Sequence, residues 1–142
     1  MMNMNVTSKM KIYKPVDIVF EAIVDPEEMG GYWFSSGTSR VEQGKTITWR
    51  YEEYGAEGYI HVLSVEENRK IIFNWADTTV EMTFQEEDGG TLLEVTESGF
   101  NVDDPDVVSK MLGQKEGWVY MLSCLKAYLE NGITTLRASM VH

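Results

Sequence analysis

The sequence predicts an α+β domain in which helices segregate to one face of an antiparallel sheet. Three observations predict it. Between Gly44 and Ser98, short runs alternate apolar and polar residues and are separated by turn residues, the pattern of half-buried strands. From Asp104 to Asn131 one long stretch carries apolar residues at helical spacing. Between the first strand and the sheet lie two short helical runs.

From Val6 to Tyr13, Met10 and Ile12 alternate against Lys9 and Lys11, which reads as a strand. Pro15 opens PVDIVFEAIVD, where Val16, Val19, Phe20 and Ile23 recur at helical spacing. Asp25-Pro26 ends that helix and starts a second of one or two turns, which Gly30-Gly31 weakens before Tyr32, Trp33 and Phe34. In TITWRYE, Ile47, Trp49 and Tyr51 share one face. Both faces of Gly58–Glu66 are apolar, so its inner face stays unassigned. Ile71, Phe73 and Trp75 share a face in KIIFNW, as do Val80, Met82 and Phe84 in TVEMTFQ, and Leu93 and Val95 in TLLEVTES. Turn residues at 67–69, 76–77 and 88–90 join the runs, giving a meander of about six strands with a wet outer face.

The last helix has Asp104 as its expected cap, Pro105 at its first position and Gly132 as a left-handed stop. Val108, Met111, Trp118, Leu122, Leu125 and Leu129 form its stripe, and Lys115 puts one charge inside that stripe. Gly113 and Gly117 each cost about 1 kcal/mol relative to Ala, and are compatible with a bend or a close passage over the sheet. A six-strand sheet is roughly 25 Å wide, whereas one helix is only about 10–12 Å across. Either the sheet curls and side chains fill the difference, or a cavity remains.

Composition narrows the function. The chain has 142 residues and a formal charge of −11, with no basic block. Such a surface repels nucleic-acid phosphates and anionic headgroups, so neither is an expected partner. The sole cysteine, Cys124, excludes an internal disulfide and fits a reducing cytosol. The N-terminal MMNMNVTSKMK lacks the apolar run of a signal peptide, and no stretch is apolar enough to span a bilayer. A cytoplasmic protein is the expectation.

The order PVDIVFEAIVDPEEMGGYWF, Gly44, Gly58, KIIFNW, GGTLLEVTESGF and GWVYMLSCLKAYLENG resembles the domains similar to the C-terminal part of the activator of heat shock protein 90 ATPase. These belong to the START-like (SRPBCC) superfamily. The resemblance runs from about Val6 to Gly132 and assigns the chain 1–142 to one such domain. It implies a helix-grip fold, in which a curved antiparallel sheet wraps a long C-terminal helix and often encloses an apolar cavity. Lipid carriers, hormone and allergen-type binders, polyketide cyclases and chaperone activators share that fold, so fold alone selects no function. The chaperone activators carry a further N-terminal domain that this sequence does not contain.

The leading expectation is therefore a binder of an apolar or amphipathic small molecule. A chaperone-associated interaction module and a cyclase-like enzyme are the alternatives. Trp33, Trp49, Tyr51, Phe73, Trp75, Met82, Phe84, Met111, Lys115 and Trp118 are the candidate ligand-binding residues. Most of these are equally the residues of a core, and the two readings overlap because such a pocket is an incompletely filled core. Three outcomes spare Lys115 the cost of lone burial: reaching water past the sheet edge, pairing with Glu97, or holding an acidic ligand head. Glu97, in register with Leu93 and Val95, is expected to point inward near the sheet edge, where a carboxylate needs a partner or a raised pKa. Catalysis needs two convergent polar groups, which the sequence does not supply, so no catalytic residue is assigned. His61, His142 and Cys124 have no metal-ligand spacing, and the glycine pairs lack a phosphate-loop setting. No cofactor is expected.

Overall fold

The computed structural model describes residues 4–141. His142, one of the two histidines weighed above, lies outside the described residues. The strands are β1 (Asn5–Ile12), β2 (Ser36–Gly37), β3 (Thr46–Tyr51), β4 (Ala56–Glu66), β5 (Lys70–Trp75), β6 (Thr78–Glu87) and β7 (Gly90–Ser98). They form one antiparallel sheet in the order β1-β7-β6-β5-β4-β3-β2. Helices α1 (Val16–Val24) and α2 (Pro26–Met29) follow β1, and α3 (Val107–Asn131) closes the order. This is the α+β helix-grip architecture, with seven strands rather than six. The added strand is β2, whose two residues are too few to show alternation.

The alternating faces fold as read. Ile47, Trp49, Ile71, Phe73, Val80, Met82, Phe84, Leu93 and Val95 are all buried in one cluster with Trp118, Met121, Leu122 and Leu125 of α3. In β4, Ile60 and Val62 turn inward while Tyr59 and Leu63 face solvent, and a register shift between Val62 and Ser64 breaks the alternation. That bulge is why period two could not choose a face. Asn68, Ala76 and Gly89 take left-handed φ of 62°, 53° and 76° at the three turns expected between β4 and β7.

At α3 two expectations are corrected. The helix starts at Val107, two residues beyond Pro105, because Asp104 instead forms a turn in which its carboxylate accepts from the Asp106 N–H at 2.8 Å. The apolar stripe is also shorter: Val108 is 63 % exposed and Met111 only half-buried, while Val107, Met121 and Cys124 join Trp118, Leu122 and Leu125 in the core. Added Cβ atoms at Gly113 and Gly117 would meet nothing within 4 Å, so neither glycine serves a close passage. Gly132 ends the helix at φ 66°, as its position implies.

Helix α3 runs beside the edge strand β1. Lys126 Nζ donates to the Lys11 carbonyl at 2.7 Å, the Glu130 carboxylate accepts from the Tyr13 N–H at 2.9 Å, and Lys115 Nζ donates to the Thr7 carbonyl. Cationic side chains thus occupy carbonyls of a strand that lacks a partner on its outer side. Lys115 is exposed there and makes no contact with Glu97.

Candidate functional site

The last residues of β3 and β5, the start of β4 and the middle of α3 converge at one end of the sheet. A cavity of about 370 Å³ opens there. Trp33 enters it from the segment after α2, Tyr51 from β3, Trp75 from β5 and Trp118 from α3. The indoles of Trp33, Trp75 and Trp118 contact one another, with ring centroids 5.6 to 6.2 Å apart. Tyr54, Ala56, Gln114, Gly117, Tyr120, Met121 and Met140 complete most of the wall. Gly117 faces open space, so its missing side chain leaves volume to the cleft.

Glu97 lies behind this wall and is only 2 % exposed. The period of β7 that buries Leu93 and Val95 dictates its inward direction. Its oxygens accept from the Trp118 indole N–H at 2.8 Å, the Gln114 amide at 2.9 Å and the Thr78 hydroxyl at 2.6 Å. No ion pair to Glu97 occurs among the described residues. Neutral donors thus offset the cost of burying it and, in doing so, fix the orientation of Trp118 and Gln114.

Tyr32 completes the wall, and the chain beyond Gly132, which brings Met140 to it, is clasped by phenols. Phenol hydroxyls of Tyr51, Tyr120 and Tyr54 donate to the carbonyls of Arg137, Leu136 and Met140. Arg137, buried to 7 % exposure, donates to the Trp33 carbonyl at 2.8 Å, pairs with Glu53 and lies 4.9 Å over the Tyr51 ring. That pairing holds the Glu53 carboxyl below its usual range. Burial pushes the Tyr51 phenol up to about 12 against the opposing Arg137 charge, and burial also raises Tyr120. A tyrosinate cannot donate to a carbonyl. These raised values mean that stability from the clasp is fully present below the ordinary phenol value of about 10 and is lost as pH climbs through about 12. Melting temperature should therefore fall over that window, and Tyr51→Phe should flatten part of the fall. An alkaline limb identical in Tyr51→Phe and the parent chain would remove Tyr51 from the account.

Of the ten residues singled out in the sequence, Trp33, Tyr51, Trp75 and Trp118 line the cleft. Trp49 and Phe73 stand behind them, with Trp49 4.8 Å from Trp33 and 5.5 Å from Phe73. Met82 is buried on β6, and Phe84 packs edge-on against Phe20 of α1 at 5.3 Å. Met111 and Lys115 lie outside the lining. Sequence reasoning missed Tyr32, Tyr54, Ala56, Gln114, Tyr120 and the segment holding Arg137 and Met140. Tyr120 sits two residues from Trp118, the usual spacing of different helix faces, and nothing local in ITTLRASM marks a wall. His61 is exposed and bonds Thr46 at 3.1 Å, and no metal-holding group occurs among the described residues. Burial raises the Cys124 thiol, which weakens it as a nucleophile.

Residues 14–130 match the family model described as Activator of Hsp90 ATPase homolog 1-like protein. The chain belongs to that family. Among solved structures, protein SSP2350 from Staphylococcus saprophyticus is 53 % identical with a TM-score of 0.85, covering 92 % of this chain and 95 % of that one. DynU16, from the dynemicin biosynthetic locus, is 24 % identical with a TM-score of 0.81, covering 94 % of this chain and 49 % of that one. The Aha1 dimer from Colwellia psychrerythraea is 18 % identical with a TM-score of 0.80, covering 91 % of this chain and 98 % of that one. At those lower identities the likeness is one of fold. A search of curated proteins gave no match. Among the described residues no helix is long and apolar enough to cross a membrane.

Proposed function

We propose that this family member is a cytoplasmic small-molecule binding protein whose ligand, apolar or amphipathic, sits in the aromatic cleft between the sheet and α3. The cleft itself carries the reading. Its volume of about 370 Å³ falls within the range of about 300–1,000 Å³ usual for ligand pockets, and aromatic and thioether side chains dominate its wall. Of the ten candidates, Trp33, Tyr51, Trp75 and Trp118 are proposed to touch the ligand. Trp49 and Phe73 support them from behind, and Met82, Phe84, Met111 and Lys115 are left to packing and surface roles. The chaperone-associated alternative draws on the family description and on the acidic surface.

The test uses the uncharged dye N-phenyl-1-naphthylamine, whose emission rises in apolar surroundings. Gly117→Leu should abolish the rise by filling the cleft. It should not destabilise the chain, since replacing a helix glycine gains up to about 1 kcal/mol and open space lies beyond the new Cβ. Dye binding unchanged in Gly117→Leu, or no binding to the parent chain, would refute the cleft and favour the interaction module.

A further inference from the structure

Most donors of the cleft wall give their protons to other parts of the protein. Tyr51, Tyr54 and Tyr120 donate their hydroxyl protons to carbonyls of the C-terminal segment. Trp118 and Gln114 donate theirs to Glu97. Among the lining side chains, the indole N–H groups of Trp33 and Trp75 are the donors that make no hydrogen bond within the described residues. The wall otherwise offers ring faces and phenol lone pairs. All of these attract positive charge or accept protons.

Charge points the same way. Among the described residues, no lysine, arginine or histidine lines the cleft. Lys115, which an acidic ligand would have needed, is turned to the Thr7 carbonyl on β1. Arg137 is neutralised by Glu53, and its place over the Tyr51 ring shows a cation already held by this aromatic surface. Glu97 is buried behind Trp118 and Gln114, with no cationic partner among the described residues. An indole that donates to a carboxylate gains electron density, which strengthens the attraction of its face for a cation. The formal charge of −11 adds a long-range field of the same sign.

We infer that the cleft selects a ligand with a cationic nitrogen on an aromatic or branched apolar body, and that it discriminates against carboxylic acids. The inference rests on the cleft being a ligand site. Its chemistry is complementary: ring faces and lone pairs receive the ammonium, the indole walls cover the apolar body, and an anion would find few donors facing it.

The experiment titrates the full chain with three soluble compounds sharing one phenyl body: phenethylamine, protonated at neutral pH; 2-phenylethanol; and phenylacetate. Binding is read from tryptophan emission, since three of the four indoles line the cleft. The amine should bind about ten-fold more tightly than the alcohol, and the acid most weakly. Glu97→Gln should shrink the amine-to-alcohol preference by about three-fold while sparing the alcohol. Should that variant not fold, the comparison on the parent chain decides alone. Amine and alcohol binding alike, or the acid binding best, would overturn the cationic preference and leave the small-molecule reading intact. If no compound binds and N-phenyl-1-naphthylamine also fails, both readings fall.

Discussion

Truncation after Gly117 is expected to leave a chain that does not fold cooperatively. The missing half of α3 carries Trp118, Met121, Leu122, Cys124 and Leu125, all buried against the sheet. Burial of each large apolar side chain contributes about 1.5–3 kcal/mol, as an upper estimate before ordering entropy. Their loss rivals the whole net stability of a domain, about 5–15 kcal/mol. It also uncovers Trp49, Phe73 and Met82, which would then aggregate. The first half of α3, with Val108 and Leu112 mostly exposed, cannot substitute. Circular-dichroism melting and size-exclusion chromatography read the outcome. A monomeric fragment with a sharp transition would show that the helix is an accessory rather than the cover of the core.

Trp118→Ala should be the most damaging point substitution at the site. Removing a buried indole costs about 3–5 kcal/mol through lost burial and the cavity left behind. Here it also strips Glu97 of one of its three side-chain donors, and a buried acceptor left short costs about 1–3 kcal/mol more. Trp118→Phe separates the two effects, because it keeps an apolar ring and deletes only the N–H and part of the volume. Denaturant unfolding should rank the three chains as parent, then Phe, then Ala. The Phe variant should already lose the grip on the amine probe through the altered Glu97 environment. Equal stability of Phe and parent chains would mean that the indole–carboxylate bond contributes nothing.

Much of this fold is legible in the sequence. Ile47 and Trp49, Ile71 and Phe73, and Val80 through Phe84 each expose a strict period of two, which only a sheet with one buried face sustains. Gly132 marked the end of α3 because its left-handed backbone suits glycine. The start of α3 was less legible. Asp104 and Asp106 both have capping chemistry, and the choice between them depended on a turn closed by the Asp104 carboxylate. The stripe failed at Val108 for a related reason: periodicity names a face of a helix but not how far the sheet extends beneath it.

The site divides along the same line. Sequence alone determined the residues that converge from strands, because alternation and the inward registers of Tyr51, Trp75 and Glu97 follow from local geometry. It also determined the chain's acidity and the scarcity of basic groups. Only the tertiary structure decided that Lys115 leaves the cleft for β1 and that Gln114 and Trp118 share Glu97. It alone brought Met140 to the wall and set Arg137 behind it, 84 residues and more from the β3–β4 side chains they bond. Those outcomes turn on which partner satisfies each donor across the fold, and hydrogen bonds between distant segments leave no period in a sequence.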